Sequence, residues 1–229
     1  MKVLFWDIDG TLVRTGKAGL YAFVEATEKL YGRQPDFDKI TTAGMTDCYI
    51  SSEIIRRLTG RPAAENEITA LVQLYEELLQ RHLAKKQGYT IPPVAEILAY
   101  LAPDPEYVSL LLTGNTVTGA KAKLSCYEID HYFDFSISAF GDSCFDRSEI
   151  AAKALAGLRS KYPAVPLTDI YIIGDTPNDI RVGKEIGART VAVATGRFSC
   201  EELSAHTPWW AVETLPGPVE FIQKLASAV

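Results

Sequence analysis

Near its start the chain reads "MKVLFWDIDGTLVRTG", a mostly apolar run that ends in Asp7 and Asp9, followed by Gly10 and Thr11. A pair of carboxylates is a poor way to close a hydrophobic run, because buried carboxylates must be paired, protonated or bound to a metal. Two further apolar runs end in groups suited to phosphate and metal. "YVSLLLTGN" stops at Thr113, Gly114 and Asn115, and "DIYIIGDTPND" stops at Asp175 with Asp179 close behind. A carboxylate can attack phosphorus to give an aspartyl-phosphate, which divides one hard hydrolysis into two easier transfers. Attack of an anion on an anion needs a neutralising charge, and Mg²⁺ held by carboxylates and the substrate phosphate provides it. In this picture Asp7 attacks, while Asp9 protonates the leaving oxygen and then deprotonates the resolving water. Thr113 offers a hydroxyl, and Gly114 and Asn115 offer backbone N–H groups at a helix start, a setting that suits a transferring phosphoryl group. Asp175, with Asp179, completes an acidic pocket.

Each of these residues also has a plain structural reading. Asp7 and Asp9 could form an ordinary turn, Thr113 an N-cap, and Asp175 with Asp179 an acidic first helical turn. A fixed D-x-D-G-T pattern is expected by chance in only about two or three of a thousand chains of this length. Found in company with the other two strand ends, it favours the chemical reading.

Elements must bring the three groups together. The apolar runs have the look of buried parallel strands, with weaker candidates at "FSIS" near residue 137 and "TVAVATG" near 192, and a late one in "WWAVETL". Helical patterns lie between them, so the fold class is α/β, a doubly wound parallel sheet. Ligands of such sheets bind at the carboxyl ends of the strands, where Asp7, Thr113 and Asp175 would converge. Residues 18–100 break the alternation. Leu71, Leu74, Tyr75, Leu78 and Leu79 instead follow the spacing of an amphipathic helix. We read this region as an inserted all-helical cap domain, residues 16–91, between two parts of a Rossmann-like core, residues 1–15 and 92–229. The joints are "VRTGK" and "GYTIPPV", both with linker chemistry.

Composition narrows the function classes. The 229 residues carry 29 acidic and 23 basic side chains, a net charge of −6 without long like-charge blocks. That argues against nucleic acid or an anionic membrane as a partner. Cys48, Cys126, Cys144 and Cys200 form no C-x-x-C pair, so neither a disulfide framework nor a zinc site is expected, and a reducing cytoplasmic setting is. No segment approaches the run of about 20 apolar residues that a membrane helix needs, and no signal peptide is expected. Oligomeric state is not legible.

"DIDGTL", "LLTGN" and "GDTPND", in that order with a helical insertion after the first, resemble the haloacid dehalogenase-like hydrolase superfamily, specifically its phosphatases. "TGKAGLYAFVEA", "AGMTD" and "FGDSCFDRSEI" extend the resemblance to its phosphoglycolate phosphatase-like branch. The resemblance implies a Mg²⁺-dependent phosphoric monoester hydrolase acting on a small phosphorylated metabolite, with phosphoglycolate the first candidate. It implies Asp7 as nucleophile, Asp9 as acid/base, Thr113 as phosphate ligand, and Mg²⁺ held by the Asp7 carboxylate, the Asp9 carbonyl and Asp175, with Asp179 in support. It points Lys17, Thr46 and Asp47 toward substrate. Where the superfamily usually carries a lysine followed by proline, this chain has Arg147 in "CFDRSEIAAK", with Lys153 one and a half turns on. Arg147 is the expected cation, against a rival reading as a solvated arginine beside Asp146. His82, His131 and His206 are given no catalytic part, and Arg56 and Arg57 read as a solvated helix face. Asp9 argues against a dehalogenase, which does not need it. Two other functions stay open at this point: a phosphosugar mutase sharing every core residue, and a non-enzymatic phosphate-sensing switch module.

Overall fold

A computed structural model describes residues 1–85 and 87–227. Its centre is β1 (Lys2–Trp6), whose Val3, Leu4, Phe5 and Trp6 are wholly buried. Strands buried on both faces carry continuous apolar runs, which is why "VLFW" shows no polar alternation. The parallel neighbours of β1 are β4 (Tyr107–Leu111) on one side and β5 (Ile170–Gly174) on the other. Beyond β5 lie β6 (Arg189–Val193) and β7 (Trp210–Val212), giving one five-stranded sheet of order β4-β1-β5-β6-β7. The chain winds outward from β1 in both directions, so the topological switch point of this doubly wound sheet lies at β1.

Side-chain alternation assigns the layers. Leu4 and Trp6 pack with α4 (Val94–Leu101), α5 (Val117–Cys126) and α9 (Pro218–Ala226), whereas Val3 and Phe5 pack with α6 (Arg147–Lys161) and α7 (Pro177–Ile186). A short α8 (Cys200–Ala205) covers the outer part of the sheet through Leu203. Trp209 and Trp210 pack edge to face against one another and onto the first of these layers, so the late strand is a packing element. The weak candidate at "FSIS" forms no strand. Only an isolated bridge joins Ala139 to Leu112, because Phe133 and Phe135 turn inward and Asp134 and Ser138 hold a local turn.

Residues between the two joints form α1 (Ala18–Tyr31), α2 (Asp47–Thr59) and α3 (Glu65–Leu83). They share an apolar core of their own, with Ile54, Ile55, Leu71 and Leu79 fully buried and Phe23 stacked on Tyr75 at 3.9 Å. A buried residue of this size contributes about 1.5–3 kcal/mol, so this shared core is what holds the three helices to one another. His82 donates to the Glu25 carboxylate at 3.0 Å as a packing histidine, and Arg56 and Arg57 pair with Glu53 at the surface. Both joints are strands: β2 (Val13–Arg14) and β3 (Tyr89–Thr90) make a two-stranded antiparallel ribbon. All four cysteines are free.

Candidate active site

Register brings the motifs level. Trp6 pairs with Leu111 on one side and Ile173 on the other, so the residues that follow each strand emerge from the same edge of the sheet. Asp7 continues the ladder, its N–H donating to the Ile173 carbonyl at 2.9 Å. Gly10 then turns the chain at φ 86°, a conformation that favours glycine. A Cβ there would come within 2.5 Å of the Asp175 carboxylate. Gly196, opposite, also stands against that carboxylate with no room for a side chain. Both glycines clear space for a buried acid.

Asp7, Asp175 and Asp179 are buried and each offers a carboxylate oxygen within 4.8 Å of the others. Arg147 enters this cluster from the first turn of α6, 3% exposed, with a guanidinium nitrogen 3.5 Å from Asp7 and bonded to Asp179. Its rival reading fails on geometry, because Asp146 caps α6 and pairs with Arg181 at 3.0 Å instead. Lys153 is exposed and turned to Cys144 Sγ at 2.9 Å. Burial works against the charge of Arg147, but Asp179, Asp7 and Asp175 outweigh it and hold its pKa above the ordinary value. Burial pushes the Asp7 carboxyl up to about 6 despite Arg147, and Asp179 and Asp9 push the same way. Burial, then the charges of Asp7 and Asp179, drive Asp175 well above the carboxylate range.

These residues suit a hard divalent cation. Among the described residues three carboxylates face a single guanidinium, an all-oxygen donor set with negative charge to spare. Asp179 has the least to give, since one oxygen takes Arg147 and the other takes the Thr176 N–H at 3.0 Å and its hydroxyl at 2.6 Å. This closes a capping box over Pro177 at the start of α7, so the "DTPND" spacing that suggested a pocket also builds the helix that holds it.

The end of β4 differs from expectation. Helix α5 begins at Val117 under a Thr116 cap, and the Asn115 N–H is turned to Thr113 Oγ1 at 3.3 Å instead of facing outward. Asn115 acts through its side chain, donating to Thr113 Oγ1 at 2.8 Å and to Asp9 Oδ2 at 3.0 Å. Gly114 is fixed by its carbonyl, which accepts the Asp47 N–H at 2.9 Å, and its Cβ position lies 2.3 Å from the Met45 carbonyl, where only glycine fits.

The segment before α2 sits directly over the sheet edge. Gly44 accepts from Asn178 at 3.0 Å, and the Thr46 hydroxyl donates to the Cys144 carbonyl at 2.7 Å while capping α2. Thr46 is therefore a fastening residue and does not line the cavity. Asp47 does, buried, with Oδ2 accepting from the Thr116 N–H at 3.0 Å. Burial raises its pKa to about 7, against the pull of Lys123. Lys17, exposed at the start of α1, also faces the cavity, as do Arg197 and Tyr75. The cavity measures about 620 Å³, has Asp7 and Asp9 at its floor, and is walled by Leu20, Phe23 and Ile50 of the helical insertion. Sequence reasoning missed Lys123, which is 4% exposed and bonded to Asp9 Oδ2 at 2.5 Å. Its one signal is position: with Ala120 and Leu124 it lies on the buried stripe of a helix that starts at a motif.

Comparison with known proteins shows the family and the fold. The sequence profile described as haloacid dehalogenase-like hydrolase matches residues 1–187. Two curated relatives span almost the whole chain. "Probable phosphatase IndB" of Dickeya dadantii is 25% identical, covering 99% of this chain and 96% of the relative. "Phosphoglycolate phosphatase" of Vibrio vulnificus is 24% identical, covering 94% and 93%. The solved structure of a HAD hydrolase, family IA, variant 3, from Entamoeba histolytica shares the fold, with a TM-score of 0.75 at 16% identity over 99% of this chain and 100% of that one. The chain is an enzyme of the haloacid dehalogenase-like hydrolase family.

Proposed function

We propose that this protein is a phosphomonoesterase for a small soluble metabolite, working through an aspartyl-phosphate on Asp7. The observation that carries the reading is the Asp7 carboxylate at the end of the central strand, buried beside Asp175, 3.5 Å from Arg147, and open to a cavity of about 620 Å³. Such a volume suits one small ligand. Asp7 attacks phosphorus as the bond from phosphorus to the ester oxygen breaks, and Asp9 delivers the proton that oxygen needs. Water then attacks the phosphorus, Asp9 takes its proton, and inorganic phosphate leaves Asp7. Arg147 holds positive charge beside Asp7 and the phosphoryl oxygens throughout, and its planar fork suits both. Asp7, the Asp9 carbonyl and Asp175 would hold Mg²⁺, with Asp179 fixing Arg147 and the α7 turn behind them. Bound there, the ion neutralises charge between the attacking carboxylate and the phosphate.

The division of labour follows the joints. Residues 1–15 and 92–229 form the catalytic core and residues 16–91 the cap, which closes on the ribbon of β2 and β3 and excludes bulk water. Lys17, Asp47 and the apolar cap wall meet the rest of the substrate. Phosphoglycolate is the first compound to test, supported by the name of the Vibrio relative. The experiment is a panel of phosphorylated metabolites, para-nitrophenyl phosphate included, assayed for released phosphate with and without Mg²⁺. Asp7→Asn is nearly isosteric, so it should keep the fold and lose turnover. Undiminished phosphate release by folded Asp7→Asn would remove the mechanism, and isomerisation of a sugar phosphate without net release would make the enzyme a mutase.

A further inference from the structure

Lys123 is a buried ionisable group that the chemistry above leaves unused. It projects from α5 to the cavity wall, 4% exposed, with Nζ donating to Asp9 Oδ2 at 2.5 Å and to Asn115 Oδ1 at 2.6 Å. Asn115 in turn donates to the same Asp9 oxygen at 3.0 Å and is held by Thr113 Oγ1 at 2.8 Å. Burying an ammonium costs several kcal/mol unless it is paired and hydrogen-bonded, and leucine or methionine would fill this helix position without that cost. The lysine is therefore explained by its partner and not by packing. Its partner is the one carboxylate that must change protonation twice per turnover.

The two donors fall on one oxygen. Asp9 Oδ2 accepts from both Lys123 and Asn115, so it has no place for a proton, whereas Oδ1 makes no bond to either and the side chain is 45% exposed toward the cavity. Resting on the phosphomonoesterase reading, we propose that Lys123 is the positioning residue that clamps Asp9 by Oδ2, so that Oδ1 is the atom that carries the catalytic proton. The proton on Oδ1 passes to the ester oxygen as its bond to phosphorus breaks, and the proton of the attacking water returns to Oδ1 as phosphate forms. Lys123 acts through Asp9 and Asn115, the two side chains to which its ammonium donates, and takes no part in the proton transfer itself.

A clamp on a general acid has a signature that a merely structural lysine lacks. Leaving groups that are poor without protonation need a well-aimed acid, and para-nitrophenolate hardly needs one. The experiment compares kcat/KM for an alkyl phosphate taken from the metabolite panel with kcat/KM for para-nitrophenyl phosphate, in wild type and in Lys123→Met. General acid–base catalysis is worth about 10²- to 10⁴-fold, so loss of aim should lower the alkyl value by roughly ten- to a hundredfold and the nitrophenyl value by about threefold or less. In an Asp9→Asn background, Lys123→Met should cost little more, since the two act as a unit. Equal losses for the two esters, or a full second loss in the double variant, would overturn the clamp. Should Lys123→Met fail to fold, Lys123→Gln, neutral and one bond shorter, loosens the clamp in the same direction and carries the same comparison, with the same two results counting against the proposal. The outcome stays separate from the reading beneath it. Active Asp7→Asn removes the aspartyl-phosphate route itself, while inactive Asp7→Asn with an unchanged ester ratio in the Lys123 variants removes only the clamp.

Discussion

Asp47, at the start of α2, should make the stability of the protein depend on pH. It is buried against the Thr116 N–H, and burial lifts its pKa from 3.8 to about 7. The folded value lies above the unfolded one, so the folded state binds the proton more tightly. Stability from this group is fully present below about pH 4 and is lost as pH rises to about 7. Each pKa unit is worth about 1.4 kcal/mol, so the stability this group gives at low pH falls by about 2 kcal/mol by pH 5, where only the unfolded state is ionised, and by about 4 kcal/mol by pH 8. Asp47→Asn has no proton to bind, and its amide oxygen can accept the Thr116 N–H. The stability of the variant relative to wild type should therefore rise by about 2–3 kcal/mol between pH 5 and pH 8, because the slopes of groups common to both proteins cancel. Urea denaturation of both proteins at the two pH values, with chelator so that metal binding does not add to stability, measures it. Opening of the insertion alone exposes Asp47 as global unfolding does, so the sign holds for either transition. A difference that stays flat within about 0.5 kcal/mol would show that Asp47 is already ionised at pH 5 and that its burial has been misjudged.

Arg147→Ala should lower kcat by about 10²- to 10³-fold, the usual value of a group that stabilises transition-state charge, while Lys153→Ala stays within about twofold of wild type. Steady-state assay of the two variants decides it, and the reverse ranking would move the cation to Lys153. Mg²⁺ binding should release protons, because Asp7 titrates near 6 and Asp175 above its ordinary range when no cation neutralises them. Affinity should fall about tenfold per pH unit below 6 for each proton displaced. Calorimetry at pH 6 in two buffers of different ionisation enthalpy reads the release, and buffer-independent heats would refute it.

Local information was enough for much of this. Buried parallel strands betray themselves by uninterrupted apolar runs, and β1, β4, β5 and β6 sit where those runs lie. Helix α3 follows the stripe of Leu71, Tyr75, Leu78 and Leu79. "FSIS" misled because four residues of strand-like composition carry no partner with them, and the chain turns there instead. The ribbon of β2 and β3 was missed for the opposite reason, since two residues a side are too short to make a period.

Legible in the sequence alone are the strands and the candidate groups that end them: Asp7, Asp9, Thr113, Asp175 and Asp179 stand out because motif, turn chemistry and apolar run coincide within a few residues. How the cations are shared among those groups depends on the folded arrangement. Arg147 and Lys153 lie six residues apart on one helix, and the phase of α6 buries the first among three carboxylates and leaves the second at the surface. Lys123 stands 114 residues from Asp9, and a lysine on a helix is solvated unless something across the fold gives it a reason to be buried. Charge pairing is a property of distance in space, and only the closed sheet, with its strand ends level, brings these distances to hydrogen-bond length.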